Sequence, residues 1–533
     1  MALDVLDAVP PLTEVWVFLE LAEDRGAGRA GLLEVGAYIG DVDHDAVDHV
    51  RRIQLAALDR AFLGVPLRAP IAPARPAQED DSFVEHHRHV GDGSVFVGEA
   101  FALVESEGLR DPVGGASDVL VGNARCSAIA SGVYEGVTLA AAATSGGSMS
   151  VRRLEHIPGF SIDRVAAAAG ADPDVLRLEN LDTDIPPPSA AMDATRSAIG
   201  EDEANSWLPF TGRDDLKDAV AAFIERRGGP HYDGRREIVI VPGEGVAMLD
   251  AMYAVTDPGD EVIVTDPTYA GMINRVRLVG AVPRLAPLRV VDGWWRLDTD
   301  ALQAAVTDRT RAIFVNNASF PSGWVASRDE WEAIVDVVTS RDLWLVYWAT
   351  YEGVLFDSRE VIHPAAFPGM RDRTVTVGDV LAEQRMIGWR IGWVVAPGEL
   401  VNDVARAHIY SGLLASGFAQ IGARVALELS DNGLAEANAE WQRRRDETLR
   451  QLDGLPVVPA AGGWSLLLDV AALGLDAVQV SNRLLEEKVA ATPMVGWGGE
   501  IADRHVRFVF SNEPVERLAL LGDRVRRALA TSS

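Results

Sequence analysis

Hydrophobic and polar positions alternate differently in two parts of this chain. In the first 148 residues, VWVFLELAE (15–23) and LLEVGAYIG (32–40) read as two strands around a glycine-rich turn. A helical spacing of apolar positions runs from Asp43 to about Leu63. A Pro/Ala-rich stretch (67–81) follows as a loop, and SVFVGEAFALVE, DVLVGNARCSAIA and GVTLAAAAT follow as further strands. This pattern predicts a separate α+β domain over 1–148, with TSGGS (144–148) as the linker.

From Arg152 onward the pattern switches to short apolar runs separated by amphipathic stretches. The runs are EIVIVPG (237–243), EVIVTDP (261–267), AIFVNN (312–317), LWLVYW (343–348) and TVTVGDV (374–380). Continuous rather than alternating apolar strands are those of a sheet buried on both faces. The alternation with helices predicts an α/β domain over 149–533 with a mostly parallel sheet, and ligands in such sheets bind at the carboxyl ends of the strands. A smaller α+β part, 149–194 and 411–533, is expected beside a large part of about 195–410.

Composition narrows the class. The 533 residues carry a formal charge of −30, which argues against nucleic acid and anionic membrane surfaces as partners. No apolar run is long enough to span a bilayer, and no signal-like segment opens the chain. The single cysteine, Cys126, fits a reducing compartment, so a cytoplasmic protein is expected. Lysine occurs only at 217 and 488. A mechanism that needs a Schiff-base lysine therefore has two candidates, and both lie in amphipathic patterns expected to face solvent.

The strand ends carry motifs in a recognisable order. Pro242-Gly243-Glu244-Gly245 opens a helix, and Asp260 and Pro267-Thr268-Tyr269 flank the next strand. Asn317-Ala318-Ser319-Phe320-Pro321-Ser322-Gly323 forms a turn, Gly388-Trp389-Arg390-Ile391-Gly392 follows, and Arg507 lies within HVRFVF. In this order the segments resemble the class I/II, fold type I aminotransferases. The resemblance implies a homodimer and pyridoxal phosphate as family cofactor. It places the phosphate-cradling glycine loop at Gly243–Gly245, the ring-stacking aromatic at Tyr269 and the substrate-carboxylate arginine at Arg507. Tyr351 and Arg390 are further retained positions, expected with Tyr269 and Arg507 to bind substrate.

Departures from the family pattern fall at the chemical positions. Where the resemblance puts the cofactor lysine stands Ala382, and where it puts a phosphate-binding serine stands Leu381. Trp348 takes the place of the carboxylate on the pyridine nitrogen, Phe320 that of the asparagine on the ring hydroxyl, and Gly245 that of a small hydroxyl residue. Without the amine there is no internal aldimine, and a protonated ring nitrogen without a carboxylate loses its charge partner. The expectation is accordingly that no cofactor is bound. The chain reads as a repurposed enzyme, biosynthetic in role, taking a small amino-acid-like ligand in the old cleft. The alternatives are a non-catalytic scaffold and a pyridoxal phosphate enzyme that holds its cofactor non-covalently. Arg507, in an apolar strand, needs a partner, and a ligand carboxylate is expected. In the first domain Glu85, His87 and His89 could face a metal together, but no Cys pair or HExxH stands near them, and a polar loop is the plainer reading.

Overall fold

The computed structural model describes residues 15–22, 32–39, 100–103, 152–155, 157 and 161–530. The chain divides into two compact units, Met1–Ser145 and Gly146–Ser533. In the first, strands Val15–Ala22, Leu32–Ile39 and Ala100–Leu103 form an antiparallel sheet in chain order. The helix expected from Asp43, the candidate metal residues Glu85, His87 and His89, and the linker at 144–148 lie outside the described residues.

The second unit is built on an eight-stranded sheet. Its strands are β1 (Ile238–Val241), β2 (Glu261–Asp266), β3 (Val282–Val291), β4 (Trp294–Leu297), β5 (Thr310–Asn316), β6 (Trp344–Trp348), β7 (Thr374–Asp379) and β8 (Gly392–Val395). Their order is β1-β8-β7-β6-β5-β2-β3-β4. The five central strands, β7-β6-β5-β2-β3, run parallel, while β8 is antiparallel to both of its neighbours and β4 to β3. The apolar runs read from sequence are these strands. Strands β1, β2, β7 and β8 are buried along their whole length, as strands covered by helices on both faces must be.

Helices frame the site end of the sheet. Helix α1 (Glu244–Val255) follows β1 directly, α2 (Arg328–Ser340) follows β5, and α3 (Leu400–Ser411) packs along α1. Helix α2 starts with a capping box: Ser327 accepts from the Glu330 N–H, and Glu330 accepts from the Ser327 N–H. Between α1 and α3, the buried Asp250 takes His408 Nδ1 at 3.1 Å and the Ser411 hydroxyl at 2.5 Å.

A second, antiparallel sheet forms the smaller part. It comprises β9 (Val457–Val458), β10 (Ser465–Asp469), β11 (Thr492–Pro493) and β12 (His505–Val509), in the order β9-β10-β12-β11. Helix α4 (Leu434–Gln451) carries Trp441 into the core that joins this sheet to the large one. Helix Gly417–Glu428 shares a core with Ile238, Ile240 and Val395 of the large sheet. Among the described residues no helix is long and apolar enough to cross a membrane.

Candidate active site

The loops that leave the carboxyl ends of β2, β5, β6 and β7 meet over the sheet. After β2 the chain turns through Pro267 to Tyr269. After β5 the Asn317–Gly323 turn is held by its own asparagines: Asn316 Oδ1 accepts from the Phe320 N–H, and Asn317 Oδ1 accepts from the Ala326 N–H at 2.8 Å. Trp348 ends β6, Tyr351 follows three residues later, and Ala382 follows β7.

These loops bring four aromatic residues together. Tyr269 lies 5.5 Å from Trp348 and 5.8 Å from Phe320, ring centre to ring centre, and Trp348 lies 6.2 Å from Tyr351. A fifth ring comes from the smaller part. Trp497 sits edge-on to Tyr269 at 5.9 Å and to Phe320 at 5.4 Å. Trp464 of the smaller part closes on Tyr351 at 5.3 Å. Pairs at such spacings add stability beyond the area they bury, so this is packed aromatic core at the strand ends.

Arg507 reaches this cluster from β12. Its side chain is fully buried, with Phe320 4.7 Å and Trp497 4.8 Å from the guanidinium carbon. Nη2 donates to the Glu179 main-chain carbonyl and to Thr492 Oγ1 at 3.2 Å. Nε and Nη1 have no hydrogen-bond partner among the described residues. Burial pushes this guanidinium down to about 9, a displacement that marks how poorly the charge is compensated. The Tyr351 hydroxyl and the Trp348 indole N–H are also buried without a partner.

The glycine loop after β1 is drawn differently from a simple anion cradle. Gly243 has φ +83°, and a side chain there would meet Arg390 Nη2 at 2.8 Å. Arg390 in turn pairs with Glu244 Oε2 at 3.3 Å, so the charge of that arginine is answered inside the loop. Gly245 faces Arg275, whose guanidinium donates to the Gly245 carbonyl at 2.8 Å and to that of Gly271 at 2.9 Å. Asp379, at the end of β7, accepts from the Leu381 N–H at 2.9 Å. Burial, and then the Glu244 carboxylate, raise its carboxyl well above the usual range.

Ala382 is fully buried, and Leu381 beside it nearly so. Neither lysine stands in for the missing amine. Lys217 was expected to face solvent and does not. Its stem is buried on helix Asp214–Arg226, with Nζ on Thr211 Oγ1 at 2.9 Å and Asp214 at 3.4 Å. A lysine can lay its methylene stem along apolar surface and still satisfy its charge at the end, which an amphipathic pattern alone does not reveal. Lys488 is half exposed and pairs with Asp172 at 2.7 Å.

The structure thus brings together Tyr269, Phe320, Trp348, Tyr351 and Arg507. Trp497, Thr492 and Arg275, which also build the site, carry no signal of their own: Trp497 lies in a short Gly-rich loop, and Arg275 is one of many arginines on helices. Two of the groups by which the resemblance would hold pyridoxal phosphate are replaced. Position 382 offers no amine and position 348 no carboxylate.

Comparison with known proteins supplies the class. Residues 174–519 match the family model described as aminotransferase class I and II. A probable N-succinyldiaminopimelate aminotransferase of Mycobacterium tuberculosis is 32% identical over 366 residues, covering 64% of this chain and 91% of that protein. An arginine–pyruvate transaminase of Pseudomonas aeruginosa is 30% identical over 360 residues, 66% of this chain and 90% of that protein. Among solved structures, the N-succinyldiaminopimelate aminotransferase from Mycobacterium tuberculosis superposes with TM-score 0.67 at 29% identity, covering 72% of this chain and all of that one. Aspartate aminotransferase from Thermus thermophilus with maleate also gives 0.67, at 27% identity and the same coverage.

These relatives correct two expectations. A repurposed chemistry gives way to amino-group transfer, the activity in the relatives' names. The expectation of no cofactor gives way to pyridoxal phosphate, on which this class of enzymes depends. Ala382 and Trp348 are departures within a match that spans the whole length of the Mycobacterium tuberculosis structure. By the extent of the family match, this chain belongs to the class I and II aminotransferases.

Proposed function

We propose that this chain is an enzyme of amino-group transfer that binds an amino acid by its α-carboxylate at Arg507. The observation that carries the reading is the state of that side chain. A fully buried guanidinium with Nε and Nη1 unpartnered has donors to spare. A planar carboxylate is the acceptor that guanidinium geometry suits. Tyr269 and Tyr351 belong to the aromatic cluster that Arg507 enters, and these rings would lie along the carbon skeleton of the substrate. A homodimer fits the family and the strongly exposed aromatics Trp207 and Tyr410, which are 71% and 91% exposed. The single cysteine fits work in the cytoplasm.

The test is a panel of amino acids and 2-oxo acids, with pyridoxal phosphate supplied throughout, read by thermal shift and by an amino-transfer assay. At least one amino acid raises the melting temperature, and its carboxamide, lacking the carboxylate, does not. Arg507→Ala weakens binding by roughly ten- to a hundredfold, the equivalent of one charge-assisted hydrogen bond of about 1.5–3 kcal/mol. A panel in which no amino acid or oxo acid shifts melting, or in which the carboxamide does as well as the acid, overturns the assignment.

A further inference from the structure

A second concave site lies away from the aromatic cluster. It is bounded by the hairpin of β3 and β4, by the turn after β5, and by the smaller part at Ala461, and it encloses about 400 Å³. That volume is within the range of small-molecule pockets. Its lining combines guanidinium groups and indoles with small and aliphatic residues. Arg296, Arg328 and Arg359 contribute guanidinium groups, and Trp294 and Trp295 contribute indoles. The Arg359 guanidinium lies over the Trp294 ring, 4.6 Å from its centre. Trp295 is 4% exposed, and its indole N–H has no hydrogen-bond partner among the described residues.

The balance of charge here runs against that of the whole chain, which is −30. Arg296 meets Glu330 only at 3.5 Å, and that carboxylate already accepts from the N–H groups of Leu297, Trp324 and Ser327. Arg359 meets Asp357 at 2.9 Å, but both oxygens of Asp357 are taken by Arg445 at 2.7 Å. Arg328 lies over the Phe367 ring at 5.5 Å. Against these stands one exposed lining carboxylate, Glu360. Cationic donors beside indole faces, in a cavity of this size, suit a ligand that is anionic at one end and flat and apolar at the other.

We propose that this pocket is a second binding site, distinct from the Arg507 cleft, for an aromatic carboxylate. The ring would lie against Trp294, and the carboxylate would be received by Arg328 and Arg296. The pocket wall includes Gly323, the last residue of the turn that carries Phe320, so an occupant touches the same turn that packs on Arg507.

The probe is indole-3-acetate, with indole-3-acetamide as the uncharged control, titrated into the full chain by calorimetry. The expected result is saturable binding of the acid, with the amide at least roughly tenfold weaker, as the loss of one charge-assisted contact implies. Arg328→Glu, at an exposed position, weakens the acid by a similar factor. Trp294→Ala does the same through the ring. Arg507→Ala leaves this binding unchanged, which separates the pocket from the cleft. The assignment is overturned if the acid does not bind, if the amide binds equally well, or if binding is lost in Arg507→Ala and kept in Arg328→Glu.

Discussion

Glu383 accepts a hydrogen bond from the Gly353 N–H at 2.6 Å, which ties the loop carrying position 382 to the loop carrying Tyr351. The same carboxylate pairs with Arg227. Glu352, next to Tyr351, is equally buried and accepts from the Tyr347 hydroxyl at 2.8 Å. Two buried carboxyl groups therefore sit beside these loops, one paired with Arg227 and the other held by the Tyr347 hydroxyl.

That arrangement predicts a pH dependence of stability. Burial raises both Glu352 and Glu383 to about 7, from an ordinary 4.5. An acid held higher in the folded state than in the unfolded one stabilises the fold below about pH 4.5, and this stability is lost as pH rises through about 7. Glu352→Gln keeps a partner for Tyr347 and removes the charge. It is expected to stabilise the protein at pH 8 by on the order of 1–3 kcal/mol and to flatten the decline between pH 5 and 8. Denaturant titrations at the two pH values measure this. An unchanged slope refutes it.

Arg507 predicts a conflict between stability and binding. A buried cation short of partners costs stability, and an apolar residue of similar length removes that cost. Arg507→Met is expected to raise the stability of the ligand-free protein by about 1–4 kcal/mol, while abolishing the amino-acid response. Loss of stability in that variant would mean that the charge is better compensated than its two acceptors suggest.

Glu330 and Ser327 allow two losses to be ranked. Ser327→Ala removes one cap and should cost about 1 kcal/mol. Glu330→Ala removes the other half of the capping box and strands the N–H groups of Leu297 and Trp324 as well. It should cost clearly more, since each buried donor left unpaired costs about 1–3 kcal/mol. Equal melting temperatures for the two variants would show that the buried carboxylate is itself a burden.

Much of the fold is legible in the sequence because its central strands are buried on both faces. IVIV, EVIVTD and TVTVGD can be read as strands without knowing their neighbours. The site is legible where a residue keeps its place at a strand end, as Tyr269 and Tyr351 do. What escapes is anything set by packing between distant segments. Trp497 reaches Arg507 from a loop without periodicity, and Lys217 is buried by a helix whose pattern also fits solvent exposure. The core that helix Gly417–Glu428 shares with Ile238 and Val395 escapes in the same way.

The rings that cover Arg507 also govern timing. Phe320 and Trp497, nearly perpendicular and 5.4 Å apart, cover the guanidinium from adjoining sides, so that it is reached only when a cover moves, and Trp497, on a loop with Gly496 at φ +83° and two further glycines, is the cover with a hinge. Recognition is then rationed by how often the cover lifts. The apparent affinity is the intrinsic one scaled by the fraction of time the site stands open. In stopped flow the observed association rate should level off as ligand is raised, and Trp497→Ala should remove that ceiling. A rate that climbs linearly without limit in the unaltered protein would mean that the guanidinium is open to ligand at all times.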